Sequence, residues 1–322
     1  MSRRIAIGVL LAVVLSSGLP SSAAACTIFS VSDGESILVG NNEDWFHTNF
    51  SVRFYPSGVG RHGYAAFIHS EDSMDIRAGM NDQGVFIDST WVPPSTVSID
   101  PAKPFLNRNF FEYVLETCES VNETIEKFSY FNIAETWSWQ VLVADATGDS
   151  VVIVAGPDET VWYIRSNETY QLITNGNIAI PELGQSESSE QRYAAAQSLL
   201  EQIDGDVNVT FCRDVLDAAH STGTAFSSVY DLINRDIYVY FNHDYTKEVV
   251  FNLDEELSKG QHTYELEFLF ASITTTTTTE TRSTTSTTNT STDSDLQLAI
   301  AVSFAIVFSS VVAVLVFSRE SQ

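Results

Sequence analysis

The stretch "SSAAACTIFSVSDGESILVGNNEDW", residues 21–45, decides how this chain is read, because a cysteine follows directly on three alanines and an apolar leader. Arg3 and Arg4 give a positive start, Ile5 to Leu15 form an apolar run, and Ala23 and Ala25 meet the small-x-small rule for cleavage. Residues 1–25 therefore read as a secretory signal peptide cut before Cys26. A mature chain beginning with cysteine allows two readings, a lipid attachment point or a nucleophile whose own backbone amine is its base. A lipid attachment signal wants an aliphatic residue, usually leucine, three before the cysteine, and Ala23 stands there.

The second reading has sound acid–base chemistry. A free α-amine titrates near ~7.7–8.0 and a cysteine thiol near ~8.5. An amine held beside its own sulfur is thus strong enough to take the thiol proton near neutrality, with no histidine required. Removal of the leader would create the base, so export and activation become one event.

Beyond Cys26, "CTIFSVS" and "SILVG" flank Asp33-Gly34, which is a hairpin signal. "QVLVADATGDSVVIVAG" reads as a second hairpin, "TVWYIR" and "TYQLITN" as a third strand pair, and "SSVYDLINRDIYVYFNHD" with "KEVVFNLDEE" as a fourth. Helical spacing marks "NRNFFEYVLETCESVNETIEKFSYF", "SSEQRYAAAQSLLEQI" and "VTFCRDVLDAAHS". Hairpins grouped apart from helices predict a layered α+β fold of antiparallel sheets rather than a parallel doubly wound one.

These residues resemble the N-terminal-nucleophile hydrolases of the choloylglycine hydrolase and penicillin V acylase type, the linear amide C–N hydrolases. Their mature chains open Cys-Thr and run through a hairpin to a Gly-Arg-Asn-x-Asp motif, which here is Gly40-Asn41-Asn42-Glu43-Asp44. "GMNDQGV" at 79–85 is similar to the family's Gly-Leu-Asn-Glu-Lys-Gly-Leu segment. "LITNGN" at 172–177 resembles its Thr-Asn strand end, and "SSEQRYAAA" at 188–196 its Ser-rich segment ending Arg-Phe/Tyr.

The resemblance implies a four-layer αββα sandwich and a role for each matching residue. Cys26 would be nucleophile and, through its amine, base; Asp44 would hold that amine. Asn175 and a backbone N–H near Trp91 would stabilise the oxyanion, and Arg192 would sit near Cys26 and depress its thiol pKa. Asn41 stands where the family has arginine, which removes a cation from the substrate-binding site. The implied reaction is hydrolysis of a linear amide of a small N-acyl compound, without cofactor or metal. Acyl transfer on the same scaffold, or a degenerate domain displayed for binding, are the alternatives.

Composition sets the surroundings. The net charge of −26 makes nucleic acid and anionic membrane surfaces poor partners. Leu296 to Phe317 is a run of 22 residues without a charge, long enough at ~1.5 Å per residue to cross a bilayer core of roughly 30 Å. The Thr/Ser-rich segment 273–295 before it reads as a stalk. The expected order is signal peptide 1–25, hydrolase domain 26–272, stalk 273–295, single transmembrane helix 296–317 and a short cytoplasmic tail 318–322, which places the domain at the cell surface. Sequons at Asn49, Asn122, Asn167, Asn208 and Asn289 suit an exported glycoprotein.

Three cysteines leave one over if two pair outside the cell, and the economical arrangement is a Cys118–Cys212 disulfide with Cys26 free. The alternative is that both stay as unpaired buried thiols. The six histidines show no metal-ligand spacing, although His220 or His243 could serve a papain-like Cys/His pair. Trp45, Phe46, Trp91, Trp137 and Trp139 are candidates for an acyl pocket, with core packing the alternative for each.

Overall fold

A computed structural model of the chain describes residues 26–69, 72–203 and 206–273, with backbone only at 72–75. The expected signal peptide, the expected stalk beyond Ile273, the expected membrane span and the expected tail lie outside the described residues. Among the described residues no helix is long and apolar enough to cross a membrane.

The hairpin at the start of the domain forms as its turn chemistry demands. Strand β1 (Thr27–Ser32) pairs antiparallel with β2 (Ile37–Asp44). Between them the Asp33 carboxylate accepts from the Glu35 and Ser36 backbone N–H groups, and Gly34 takes φ +92°, a conformation costly for residues with a Cβ. Across the pair, Phe29 lies opposite Gly40. A Cβ at Gly40 would stand 2.3 Å from the Phe29 ring, so the glycine is what lets that ring lie flat on the strand.

Two antiparallel sheets carry the domain. β1 and β2 join β10 (Tyr170–Ile173), β11 (Thr224–Asp231), β12 (Asp236–Phe241) and β13 (Asp244–Asn252) in the order β10-β1-β2-β11-β12-β13. The second sheet runs β14-β3-β4-β5-β6-β7-β8-β9. Its members are β3 (Phe50–Tyr55), β4 (Tyr64–His69), β5 (Asp72–Asn81), β6 (Phe86–Thr96), β7 (Thr136–Ala144), β8 (Ser150–Ala155), β9 (Val161–Ile164) and β14 (His262–Glu265).

Alternation along these strands sorts side chains into layers. Ile28, Val39, Phe67, Phe86, Phe226 and Tyr230 meet between the sheets. On the outer face of the second sheet, Ile87, Val141 and Ile153 pack against α1 (Phe110–Thr117) and α2 (Val121–Tyr130). On the outer face of the first, Phe29, Leu38 and Val229 pack against α3 (Glu187–Leu200) and α4 (Val209–Ala218). Four of these helix starts are capped as their sequences suggest, with Asn109, Ser120, Ser186 and Asn208 each accepting a backbone N–H of the first turn.

Two expectations are corrected here. "TVWYIR" and "TYQLITN" do not pair with each other: β9 closes the edge of one sheet on β8, and β10 closes the edge of the other on β1. Both are short edge strands, and their connection crosses from sheet to sheet. The Cys118–Cys212 disulfide is absent; both residues are free and buried. Cys118 packs in the layer under α1 and α2 and Cys212 in the layer under α4, on opposite outer faces of the sandwich.

Candidate active site

The two-residue period of β1 and β2 decides which groups meet. Cys26 and Ile28 point between the sheets, and so do Asn41 and Glu43, whereas Thr27, Asn42 and Asp44 point to the α3/α4 side. Cys26 is buried, and its Sγ donates to Glu43 Oε2 at 3.3 Å. Burial pushes the Cys26 thiol well up from its ordinary value, and the carboxylates of Glu43, Asp88 and Asp44 push it the same way; the Asp44 backbone N–H opposes them.

Arg192 ties the expected residues together from α3. Its Nη1 donates to the Cys26 carbonyl at 2.7 Å and to Thr27 Oγ1 at 2.8 Å, and its Nη2 donates to Asn175 Oδ1 at 2.9 Å. Its Nε lies 3.9 Å from Asp44 Oδ2. The expected effect on the thiol does not follow. The guanidinium grips the Cys26 carbonyl rather than its sulfur, and its pull on the sulfur is outweighed by burial and the nearby carboxylates.

Asp44 is held by Ser221 Oγ at 2.8 Å and by the Thr224 hydroxyl. Burial raises its carboxyl above the usual range, with Arg192, Thr224 and Ser221 pulling against that. Asn175 follows β10; its Nδ2 donates to the Trp91 carbonyl at 2.9 Å, and its backbone N–H donates to Ser189 Oγ at 2.9 Å. Asn175 thus meets Trp91 through that residue's backbone carbonyl. Ser189 explains the Ser-rich segment before Arg192: it anchors the Thr174–Asn175 turn one helical turn ahead of the arginine.

Asn41 is fully buried and faces Ser228 across the β2/β11 pair. Neither polar atom of its side chain has a hydrogen-bond partner among the described residues, nor has Asp88 Oδ2, while the Ser228 and Tyr230 hydroxyls interact with each other. All four residues point between the sheets beside Cys26 and Glu43.

Cys26 and Glu43 form part of the lining of a cavity of about 260 Å³. Trp91, Trp137, Trp139, Phe110, Phe111, Ile76 and Ile133 make most of its wall, and Arg77, Ser89 and Asn109 add polar points. Of the candidate aromatics, Trp45 instead lies under Arg77, 4.3 Å from the guanidinium carbon, and Phe46 is turned out to solvent. His220 and His243 stack on each other, with His220 bound to Asp217. The thiol's hydrogen bond goes to Glu43, so no Cys/His pair of the papain kind forms. Among the described residues no group of three or more His, Cys, Asp or Glu is arranged to hold a metal.

Glu43, Asp88, Arg77, Ser221 and Thr224 were not singled out from the sequence. Glu43 carried a signal: strand alternation puts it on the face of Asn41 and Cys26. The others come from strands distant in the chain, and only the sheet order brings them in.

A family profile for acyl-coenzyme A:6-aminopenicillanic acid acyl-transferase matches residues 31–245. The chain belongs to this family. Among solved structures it is similar to penicillin V acylase from Agrobacterium tumefaciens, at 18% identity and TM-score 0.54, covering 67% of this chain and 83% of that one. It is also similar to a variant of conjugated bile acid hydrolase from Clostridium perfringens, at 15% identity and TM-score 0.60, covering 74% and 97%. These likenesses identify the fold as that of the N-terminal-nucleophile hydrolases. A search of the curated proteins finds no match.

Proposed function

We propose that the protein is an amidase that cleaves the linear C–N amide bond of a small N-acyl compound through Cys26. The observation that carries this reading is the position of Cys26: its backbone is clamped by Arg192, and the residue forms part of the lining of an aromatic-walled cavity large enough for an acyl group. Sulfur attacks the acyl carbon, the amine departs, and water hydrolyses the resulting thioester. Removal of the leader frees the α-amine of Cys26, which serves as an acid–base group for the departing amine, with Asp44 holding it in place. Asn175 Nδ2, with a backbone N–H near Trp91, stabilises the oxyanion.

Acyl transfer is the second reading, and the family's own description favours it: the acyl-enzyme is the same, and an amine replaces water in the second step. The domain would act outside the cytoplasm, exported by its leader, glycosylated at its sequons and anchored by the C-terminal apolar segment. The test is a panel of N-acyl amides offered to the ectodomain beginning at Cys26, with release of free acid and amine measured together. Turnover that vanishes in Cys26→Ala supports the reading; turnover retained in that variant ends it.

A further inference from the structure

The mechanism above leaves one contact unused. The Cys26 thiol does not face an arginine, as the family motif would place one, but donates to a carboxylate at 3.3 Å. Glu43 is 1% exposed and Asp88 is fully buried, so both carboxyls lie in the buried layer between the sheets. Asp88 sits on β6 opposite Ala78 and points into that layer; its Oδ1 accepts the Ser89 N–H at 2.6 Å. Burial, and then the Glu43 carboxylate, push the Asp88 carboxyl well above its usual range, because two buried negative charges repel. Arg77, at the cavity wall, offsets part of that charge.

We propose that Glu43 is a catalytic residue: Glu43, rather than the α-amine of Cys26, takes the thiol proton as sulfur attacks. The assignment rests on the amidase reading. In acylation the Sγ–H bond breaks and its proton passes to Glu43 Oε2, the S–C bond forms, and the carbonyl electron pair moves to oxygen. Collapse of that oxyanion breaks the C–N bond, and the amine leaves with a proton from the α-ammonium of Cys26. Attack by water then passes one proton to the amine, the C–S bond breaks, and Glu43 returns its proton to sulfur. Every atom and charge is restored.

The groups facing Glu43 set the pH dependence. Cys26 and Tyr230 come from the first sheet and Asp88 and Arg77 from the second, whereas Asp44 and Arg192 lie on the opposite, α3 side of β2. A Glu43 that is already protonated cannot accept the thiol proton, so acylation slows as pH falls. Asn41 is consistent with this division of labour. A neutral residue there removes one cation from beside the thiol, which favours proton removal together with attack.

The test uses the mature ectodomain and the ester p-nitrophenyl phenylacetate, whose nitrophenol burst reports acylation. Wild type is expected to show an acidic limb and then a plateau. Glu43→Gln keeps the shape and removes the base; its burst rate is expected to fall at neutral pH by about 100-fold or more. The limb should give way to a rate that climbs with pH toward ionisation of the thiol itself. A Glu43→Gln burst within threefold of wild type, with the same profile, overturns the assignment.

Cys26→Ala separates the two claims. Its silence beside an unaffected Glu43→Gln sinks only the role of Glu43, whereas a retained burst in Cys26→Ala sinks the amidase reading itself. A second readout does not need Glu43→Gln to fold. The infrared difference between wild type and Cys26→Ala isolates the S–H stretch of Cys26. A band shifted and broadened by bonding to a carboxylate is expected, and a band at the position of an unbonded thiol overturns the proposal.

Discussion

Arg192 donates to the carbonyl of Cys26 at 2.7 Å while its other nitrogen donates to Asn175 Oδ1 at 2.9 Å. One rigid, planar group thus fixes the backbone of the proposed nucleophile and the proposed oxyanion donor relative to each other. Lysine lacks that fork, which is why the residue type matters more than its charge. Arg192→Lys is expected to lower kcat by at least tenfold with little change in KM. With the buried Asp44 losing its neighbour, it should also lower stability by up to ~3–5 kcal/mol. Steady-state kinetics and urea unfolding of the same preparation check both.

In the proposed mechanism Asn175 contributes through its amide. Asn175→Ala removes a donor from the developing oxyanion and leaves an Arg192 N–H without its acceptor. Loss of one such donor costs about 10²–10³ in kcat, and Asn175→Asp should not restore it, because a carboxylate repels the oxyanion. Recovery of activity in the aspartate variant would contradict this role.

The buried carboxyls predict a pH-dependent stability. Asp88 has its carboxyl pushed well above the usual range, first by burial and then by Glu43. A group whose pKa is higher folded than unfolded binds more protons in the native state. Its stabilising contribution is complete at acid pH, below the unfolded value, and is lost as pH rises through the folded value. Asp88→Asn is therefore expected to raise Tm at pH 8 and to change it little at pH 4. Equal shifts at both pH values would show that Asp88 is not held protonated.

The three thiols predict the redox behaviour. Cys118 and Cys212 lie in different layers and are free, so reductant should leave Tm unchanged. Thiol titration of the unfolded, unreduced ectodomain should find all three cysteines. A titre of one would restore the disulfide that the structure removes.

How much of this was legible in the sequence varies with distance along the chain. The first hairpin could be read because Asp33, Gly34 and the alternation of β1 and β2 are local. The same holds for the helices under the Ser- and Asn-capped starts, although the stretch 107–131 breaks into two at Cys118 and Glu119 where the chain turns between α1 and α2. Strands β3 to β6 carry too irregular an alternation to stand out; β3 and β4 pack nearly all their residues, and β5 shifts register against β4. The partner of each edge strand depends on sheet order, which no local signal encodes, and so β9 and β10 were paired wrongly. At the site, Cys26, Asp44, Asn175 and Arg192 converge because a motif carried them. The direction of the Arg192 grip and the carboxylate facing the sulfur were hidden, since both follow from which face of a strand meets which face of another.

The most direct test of the account is the mass of the acyl-enzyme. The mature ectodomain is quenched in acid during turnover of p-nitrophenyl phenylacetate, digested without reductant, and its N-terminal peptide is measured. The account predicts a chain that starts at Cys26 with a free α-amine and carries one phenylacetyl group on that residue's sulfur, labile to hydroxylamine. A mature chain starting elsewhere, a blocked Cys26, or an acyl group that forms equally in Cys26→Ala would contradict it.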